Sequence, residues 1–312
     1  MWRPPPRGRH TASPMAAHPR AHRSSLNAQR RRAGILFSLP VLVLVGALLL
    51  YPIGQTVYYS FTQWDGLTAT WVGTSTYSRL LHSPDFQQVL KNNALLLLAV
   101  PVAIGFPLAI AFLLSSHLPG WRFFRTVFFL PTAVSWVVIG AIAARFFADE
   151  GILQRLLTSV GLGSVHPDML SHPHSALAAV AITFIWGMFG TNLIIFLAGM
   201  STIDVSLYEA ARVDGAGPLR VLVSITLPLL RRFVQFAFII TLISAFTAIF
   251  SLIYIMTGGG PGFATTTLEF YGYQQGFATG DFGAAATAGV MLFVAVAVVS
   301  VVQVRLFRGA DE

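Results

Sequence analysis

The sequence predicts an all-α integral membrane protein with six transmembrane helices. Three observations support this fold class: 55% of the 312 residues are hydrophobic, only 10% are charged, and long apolar stretches recur along the chain. A soluble domain of this size needs more charged side chains to cover its surface. The chain has no cysteine, which excludes disulfides, cysteine-ligated metal sites and thiol catalysis.

The N-terminal segment, residues 1–32, is rich in proline and arginine, with eight arginines and no acidic residue. Such a composition cannot bury enough apolar surface to fold, so we predict a disordered, basic, cytoplasmic tail. Two alternatives stay open. Transit peptides are also rich in arginine and poor in acids, and a start at Met15 would remove part of the segment.

Six apolar segments follow, each close to the length of about 20 residues that a helix needs to cross a bilayer. We place them at 33–51, 93–114, 126–146, 176–200, 233–256 and 284–304. Pro101, Pro107 and Pro131 lie inside or at the edge of these spans, where proline kinks a helix. Residues 33–308 therefore form a six-helix transmembrane domain with a polar connection at 201–232.

The positions of lysine and arginine predict the orientation. Sixteen of these cations lie in the tail, in the connections 115–125 and 201–232, and after the last span. The opposite face has only Arg79, Lys91, Arg145 and Arg155. The positive-inside rule puts the first face in the cytoplasm, so both termini and the 201–232 connection are cytoplasmic.

The spans contain neither of the two common sources of transport energy. No Asp, Glu, Lys, Arg or His lies in their apolar cores, whereas carriers driven by protons or sodium usually need such a residue. A nucleotide-binding P-loop needs a lysine after a glycine-rich turn, and the only lysine, Lys91, follows Phe-Gln-Gln-Val-Leu. The sequence therefore predicts that another polypeptide supplies the energy.

The sequence of the connection at 201–232 predicts a helix, a glycine turn and a second helix. Asp204 suits the start of the first helix because its carboxylate can accept hydrogen bonds from free backbone N–H groups. Gly215 and Gly217 release the backbone, and Pro218 suits the first turn of a helix that runs to Leu227. We predict a compact projection outside the membrane, thin on its alanine side.

These residues resemble a known motif. Glu209, Ala210 and Ala211 are followed after three residues by Gly215, and after nine more by Ile225, Leu227 and Pro228. This pattern is similar to the EAA loop of the binding-protein-dependent transport system inner membrane component family, the membrane (permease) subunits of ABC importers. The run Asp214, Gly215, Ala216, Gly217 and Pro218 resembles the maltose-type, carbohydrate-uptake branch. The alternative is an ordinary helix-turn-helix linker.

The resemblance implies a type I ABC importer permease (MetI-like) fold in a prokaryotic plasma membrane. It implies that the loop docks on a cytoplasmic ATPase, that Glu209 faces a cation there and that Gly215 sets the turn. Asp204 is one departure, because the family usually has proline at that position. The implied partners are a second similar membrane subunit, typically in a heterodimer, two ATP-binding-cassette ATPases that use ATP and Mg²⁺, and an extracytoplasmic solute-binding protein.

We expect this chain itself to bind no cofactor, no metal and no nucleic acid. The net charge of +8 lies in the tail and at membrane-flanking positions, with no basic domain behind it. His166, His172 and His174 cluster with Asp168 and are able to ligate a metal. Pro167 and Pro173 interrupt that stretch, however, which favours a solvated loop.

The solute path should be lined by polar and aromatic side chains on otherwise apolar helices. The candidates are Trp186, Asn192, Ser244, Phe246, Thr247, Ser251 and Tyr254. Each of them alone is equally compatible with helix packing. The stretch 256–277 resembles the external segment before the last span of carbohydrate importers, and we hypothesise that it helps to receive the solute-binding protein. Otherwise it is a flexible loop.

The sequence therefore predicts the membrane-spanning permease subunit of an ABC importer that takes up a carbohydrate. The alternative is a self-contained six-helix secondary carrier or channel. A membrane enzyme or an assembly scaffold is a third interpretation, and it would need buried titratable groups that the spans lack. The sequence does not identify the sugar, because the external binding protein chiefly selects it.

Overall fold

The computed structural model describes residues 34–35, 37–115, 121–162 and 168–308. The predicted tail, 1–32, lies outside these residues. The structure divides into an N-terminal unit that ends at Gln55 and a larger unit that begins at Thr56.

Helix α1, Phe37–Tyr59, is long and apolar enough to cross a membrane. It contains a π-helical segment at Gly46–Leu50 and ends eight residues beyond the predicted end at 51. The prediction ended where Pro52 interrupts the apolar run, but the helix continues through Pro52 and the polar residues Gln55 and Thr56. Just after it, the Tyr59 ring stacks on Trp64 at a centroid distance of 3.9 Å, as expected for an interfacial aromatic belt.

A short antiparallel hairpin, β1 (Thr62–Trp64) and β2 (Ala69–Trp71), follows α1. The Asp65 carboxylate closes its turn by accepting hydrogen bonds from the backbone N–H groups of Leu67 and Thr68, at 2.9 and 2.6 Å. These hydrogen bonds lower the pKa of Asp65, with the Thr68 N–H as the largest cause. The hairpin is the one departure from the predicted all-α fold within the described residues.

The remaining helices of the larger unit follow in chain order: α2 (Ser75–His82), α3 (Pro84–Leu97), α4 (Ala99–Ser115), α5 (Trp121–Phe129), α6 (Trp136–Phe147), α7 (Ile152–Ser159), α8 (Pro173–Met200), α9 (Val205–Val213), α10 (Pro218–Leu229), α11 (Arg231–Met256), α12 (Leu268–Tyr273) and α13 (Phe282–Arg308). Four stretches of this unit are long and apolar enough to cross a membrane, namely α3 with α4, α8, α11 and α13. With α1 they make five continuous spans.

The third predicted span is broken rather than straight. Thr126–Ala133 and Trp136–Phe147 meet at 110°. Pro131 lacks the N–H that would continue the helix, and Ser135 caps α6 through a 3.4 Å hydrogen bond from the Val138 N–H. Counted as one span, this pair completes the predicted six, and the fold class is confirmed.

The core of the larger unit surrounds α8, where Phe184, Leu193 and Phe196 are fully buried. This helix packs against α4, α6 and α11. Lipid is as apolar as these side chains, so close packing, rather than removal from water, holds such helices together. Gly190 illustrates this requirement, because a Cβ there would lie 2.7 Å from the Phe128 carbonyl oxygen.

The segment between α11 and α13 is ordered, not the flexible loop that was the alternative prediction. The Thr266 hydroxyl donates to the Gly259 carbonyl at 2.9 Å, and the Thr265 hydroxyl donates to the Gly260 carbonyl at 3.0 Å. The Asn92 amide of α3 donates to the Thr266 carbonyl at 2.9 Å. Side chains thus satisfy the carbonyls of a glycine-rich turn that has no backbone ladder.

Candidate functional site

The predicted helix–turn–helix is present in the 201–232 connection. Helix α9 begins after Asp204, whose carboxylate accepts a hydrogen bond from the Ser206 N–H at 2.9 Å. That bond lowers the pKa of Asp204. Aspartate thus starts the helix at the position where proline is usual in the family, by capping rather than by a fixed φ angle.

Gly215 ends α9 with a left-handed φ of 71°. The Gly215 N–H donates to the Arg212 carbonyl at 3.1 Å and the Ala216 N–H donates to the Ala211 carbonyl at 2.9 Å. This pair of bonds is the Schellman motif, which satisfies carbonyls at a helix end. Glycine adopts the required conformation without the steric cost that a Cβ would bring.

Helix α10 begins at Pro218 and packs back on α9. Its Thr226 is fully buried, and the Thr226 hydroxyl lies 3.3 Å from the Tyr208 hydroxyl of α9. Ala211 is buried, whereas Ala210 is exposed. The short Ala211 side chain therefore lies inside the projection, and only Ala210 forms part of the thin outer side that the sequence suggested.

The outer surface of α9 and α10 combines charge with exposed apolar side chains. Glu209 is exposed and has no ion pair within the described part of the chain. Val213 is 88% exposed and Leu219 is 74% exposed. We use the name docking face for the exposed residues Val205, Leu207, Glu209, Val213, Leu219 and Val223. Large apolar side chains exposed together on a polar connection are typical of a surface that another protein covers.

The other predicted loop residues lie at the turn or along α10. Asp214 and Gly217 are exposed, and Ala216 is half-buried. Ile225 is half-buried in the π-helical segment of α10, while Leu227 and Pro228 are exposed at its end.

Asn192 is the most deeply buried candidate of the solute path. Its amide nitrogen donates to the Ala103 carbonyl of α4 at 2.8 Å and to the Thr241 hydroxyl of α11 at 3.0 Å. Both N–H donors of the amide are therefore used between helices. These hydrogen bonds between helices are sufficient to explain a polar residue in α8, without contact to a solute.

The other path candidates are more accessible. Trp186, Thr247 and Tyr254 are exposed, whereas Ser244, Phe246 and Ser251 are half-buried. The Thr247 hydroxyl donates to the Ile243 carbonyl of its own helix at 3.0 Å. The Tyr254 ring belongs to an aromatic cluster, 5.8 Å from Tyr273 and 6.4 Å from Phe270 between centroids.

Phe246 also lines a cleft that the sequence did not reveal. The cleft contains Asn93 of α3, together with Thr267 and Glu269 at the start of α12, and aliphatic side chains of α3 and α11. Three separate segments contribute to it, so no local motif marks it. One signal was present, because Glu269 is the only acidic residue between Met256 and Gly280.

The histidine cluster is only partly described, because His166 and Pro167 lie outside the described residues. The His172 Nδ1 lies 3.1 Å from the Asp168 backbone carbonyl oxygen. Within the described residues, no three histidine, aspartate or glutamate side chains form a group suited to a metal ion.

We predict that Asn192→Ala lowers the thermal stability of the protein but changes the KM of uptake little. Removing the amide leaves the buried Thr241 hydroxyl without its partner, at a cost of about 1–3 kcal/mol. The measurement is the midpoint of thermal unfolding of the purified protein in detergent, with the exposed Thr247→Ala as the matched control. An unchanged midpoint together with a large rise in the KM of uptake would instead make Asn192 a solute ligand.

The geometry defines a class: a polytopic membrane protein with a helix–turn–helix between its fourth and fifth spans that exposes apolar side chains. A profile of the binding-protein-dependent transport system inner membrane component family matches residues 87–311. The chain belongs to this family of importer permeases.

Similar proteins agree with this assignment. The sulfoquinovosyl glycerol transport system permease SmoG of Agrobacterium fabrum is 34% identical over 90% of this chain and 92% of its own length. The multiple sugar-binding transport system permease MsmF of Streptococcus mutans is 31% identical over 88% and 95%. A chain of a bacterial alginate ABC transporter, solved with alginate pentasaccharide-bound periplasmic protein, has a TM-score of 0.78 and 21% identity over 92% of this chain and 97% of that one. The permease fold predicted from the EAA motif is confirmed.

Proposed function

We propose that this chain forms part of the carbohydrate path of an ATP-driven importer and is moved by separate ATPase subunits through the docking face. The observation that carries the proposal is the exposure of Val213 and Leu219 beside an unpaired Glu209, on a helix pair held in shape by capping. Such a surface gains free energy when a partner covers it.

The carbohydrate assignment is supported by the relatives whose names state sugar transport, SmoG and MsmF. It also agrees with the side chains available for a path, which are neutral. Aromatic rings such as Trp186 and Phe246 suit the C–H faces of a sugar, and hydroxyls such as Ser244, Thr247 and Ser251 suit its OH groups.

The docking face would transmit the motion of the ATPase subunits to the membrane spans. When two ATPase subunits bind ATP with Mg²⁺ and close, the docked α9–α10 pair moves with them, and the spans change from inward-facing to outward-facing. Work is transmitted only if the face binds the two ATPase states with different affinity. Glu209 would pair with a cation on the ATPase, and that interaction would strengthen as the surrounding surface loses water.

The external side would receive a solute-binding protein. The β1–β2 hairpin presents Leu67, which is 95% exposed, and the segment before α13 presents Phe277, which is 77% exposed. Leu67 follows α1 and Phe277 precedes α13. If the termini are cytoplasmic, both residues lie on the side of the membrane opposite to α9 and α10. A second, similar membrane subunit would complete the path.

The experiment that tests this function is reconstitution in proteoliposomes. We expect labelled carbohydrate to enter only when the two membrane subunits, the ATPases, ATP and the solute-binding protein are all present. Uptake by this chain alone, without ATPase, would instead support a self-contained carrier or channel.

A further inference from the structure

The β1–β2 hairpin contacts the start of α13 through backbone atoms. Gly283 lies against β1, because a Cβ there would meet the Thr62 carbonyl oxygen and lie 3.1 Å from the Trp64 backbone nitrogen. One turn further along α13, the Thr287 hydroxyl donates to the Ser60 carbonyl at 3.1 Å and to the Gly283 carbonyl at 2.8 Å. Ser60, Thr62 and Thr287 are at most 1% exposed. The contact is therefore close-packed and excludes water.

Helix α2 joins the same contact from a second side. The Tyr77 hydroxyl donates to the Ser60 hydroxyl at 2.7 Å. The Asp281 carboxylate accepts a hydrogen bond from the Ala284 N–H at 2.8 Å, at the start of α13, and pairs with Arg79 of α2 at 3.2 Å. This ion pair is exposed and adds little stability by itself. It does show that one carboxylate serves both helices.

We use the name hairpin clamp for residues 56–71, helix α2 and residues 281–289. Its apolar contacts belong to a small cluster in which Leu80 of α2 and Ala288 of α13 pack with side chains of α3 and α12. This cluster is separate from the core around α8. Helix α13 packs mainly against α12, β1 and α2, and more sparsely against α11. The clamp therefore holds α13 more closely than the α8 core does.

Motion between packed parts of a protein is least costly where few contacts must be exchanged. The contact between β1 and α13 is the opposite case. Its separation would remove the Ser60 partner of the buried Thr287 hydroxyl and would open a gap between backbone atoms that now pack closely. A rearrangement of the spans is therefore expected to leave this contact intact.

We propose that the hairpin clamp stays closed through the transport cycle and moves as one rigid body with the start of α13. The change between inward-facing and outward-facing states then takes place between α13 and the helices of the α8 core. This inference rests on the proposed function, because it needs an importer that alternates between two states. It adds which part of the chain does not rearrange.

The first arm of the test holds the clamp closed with a disulfide. Gly289 and Thr56 face each other across the clamp, because a Cβ at Gly289 would lie 3.7 Å from the Thr56 Cγ2. Since Cγ2 is one bond from Cβ, the two Cβ atoms are at most about 5.2 Å apart, near the range of about 3.5–4.5 Å that a disulfide spans. The chain has no native cysteine, so Thr56→Cys with Gly289→Cys introduces one possible pair.

We expect oxidation to join the two introduced cysteines and to leave ATP-driven uptake within about twofold of the reduced sample, as for a body that does not rearrange. The measurement is uptake by the complete importer in proteoliposomes of whichever of labelled lactose, maltose, trehalose and cellobiose the wild-type complex imports. Loss of maleimide-reactive thiols reports the disulfide. The single variants Thr56→Cys and Gly289→Cys, oxidised in the same way, are the controls.

The second arm opens the clamp. In Gly283→Ala the new methyl group meets backbone atoms of β1, which cannot rotate away as a side chain can, so the hairpin must move away from α13. We expect uptake to fall at least about tenfold, as for other displacements far from the solute, and the disulfide between the introduced cysteines to form more slowly. Gly289→Ala is the matched control in the same helix and should keep wild-type uptake, because its Cβ makes an ordinary contact at 3.7 Å.

Three results would overturn the proposal. Oxidation that blocks uptake until a reductant is added would show that the clamp opens during transport. Failure of the disulfide to form would show that Thr56 and Gly289 lie apart in the membrane. Wild-type uptake by Gly283→Ala would show that a closed clamp is not needed. If Gly283→Ala does not assemble, the oxidised and reduced double-cysteine samples still decide the question.

Failure of the importer function itself gives a different pattern. The wild-type complex and the reduced double-cysteine complex would then both show no ATP-dependent uptake of any sugar. The disulfide would still form, because its formation needs neither a solute nor ATP.

Discussion

Glu209→Lys should abolish ATP-driven uptake while leaving membrane insertion intact. The side chain is exposed on α9 and has no ion pair within the described chain, so its replacement disturbs no internal contact. If it faces a cation on the ATPase, the reversed charge costs several kcal/mol; about 3 kcal/mol is roughly a hundredfold in affinity. The measurement is uptake together with co-purification of the ATPase subunits.

The matched control for this prediction is Glu150→Lys, the same charge reversal at an exposed carboxylate between α6 and α7. That position lies on the opposite face in the predicted topology, so the ATPases should stay bound and uptake should stay within about twofold of wild type. Equal uptake by Glu209→Lys and wild type would remove Glu209 from the docking interface.

Gly215→Val should uncouple the importer by changing the shape of the docking face. The φ of 71° at Gly215 is unfavourable for any residue with a Cβ and most of all for a β-branched one, at about 1–3 kcal/mol. Relieving this strain would break the two capping hydrogen bonds at the end of α9. We expect at least a tenfold fall in uptake, with hydrolysis by the ATPases no longer stimulated by the solute-binding protein.

Gly217→Val is the matched control for the turn. Gly217 has φ −69° and ψ 163°, an extended conformation that valine adopts readily, and no atom lies within 4 Å of an added Cβ. This variant should couple normally. If Gly215→Val and Gly217→Val lowered uptake equally, the backbone conformation of Gly215 would not be the cause. The argument from φ would then be wrong.

The spans and the helix–turn–helix of α9 and α10 were predictable because their determinants are local. A run of apolar residues suffices to place a membrane helix, and the capping residues Asp204, Gly215 and Pro218 each act within a few positions. A kink at Pro131 was predicted in the third span, but a break as large as 110° was not. An apolar window has the same composition whether the helix is straight or bent by 110°.

The cleft beside Phe246 was not predictable because its residues come from three distant segments. Asn93, Phe246 and Glu269 meet only after α3, α11 and α12 pack together. The sequence left a flexible loop open as the alternative for the segment before α13, because the hydrogen bond from Asn92 of α3 to this segment joins residues 174 positions apart. Strands β1 and β2 span three residues each, too few to show an alternating pattern.

The most direct test of the central claim is the accessibility of a single cysteine at position 213. The chain has no native cysteine, and Val213 is 88% exposed, so Val213→Cys introduces one reactive site on the docking face. We predict that a membrane-impermeant maleimide labels it only from the cytoplasmic side, and that added ATPase subunits protect it. Labelling from the outside, or labelling that the ATPases do not change, would contradict the account.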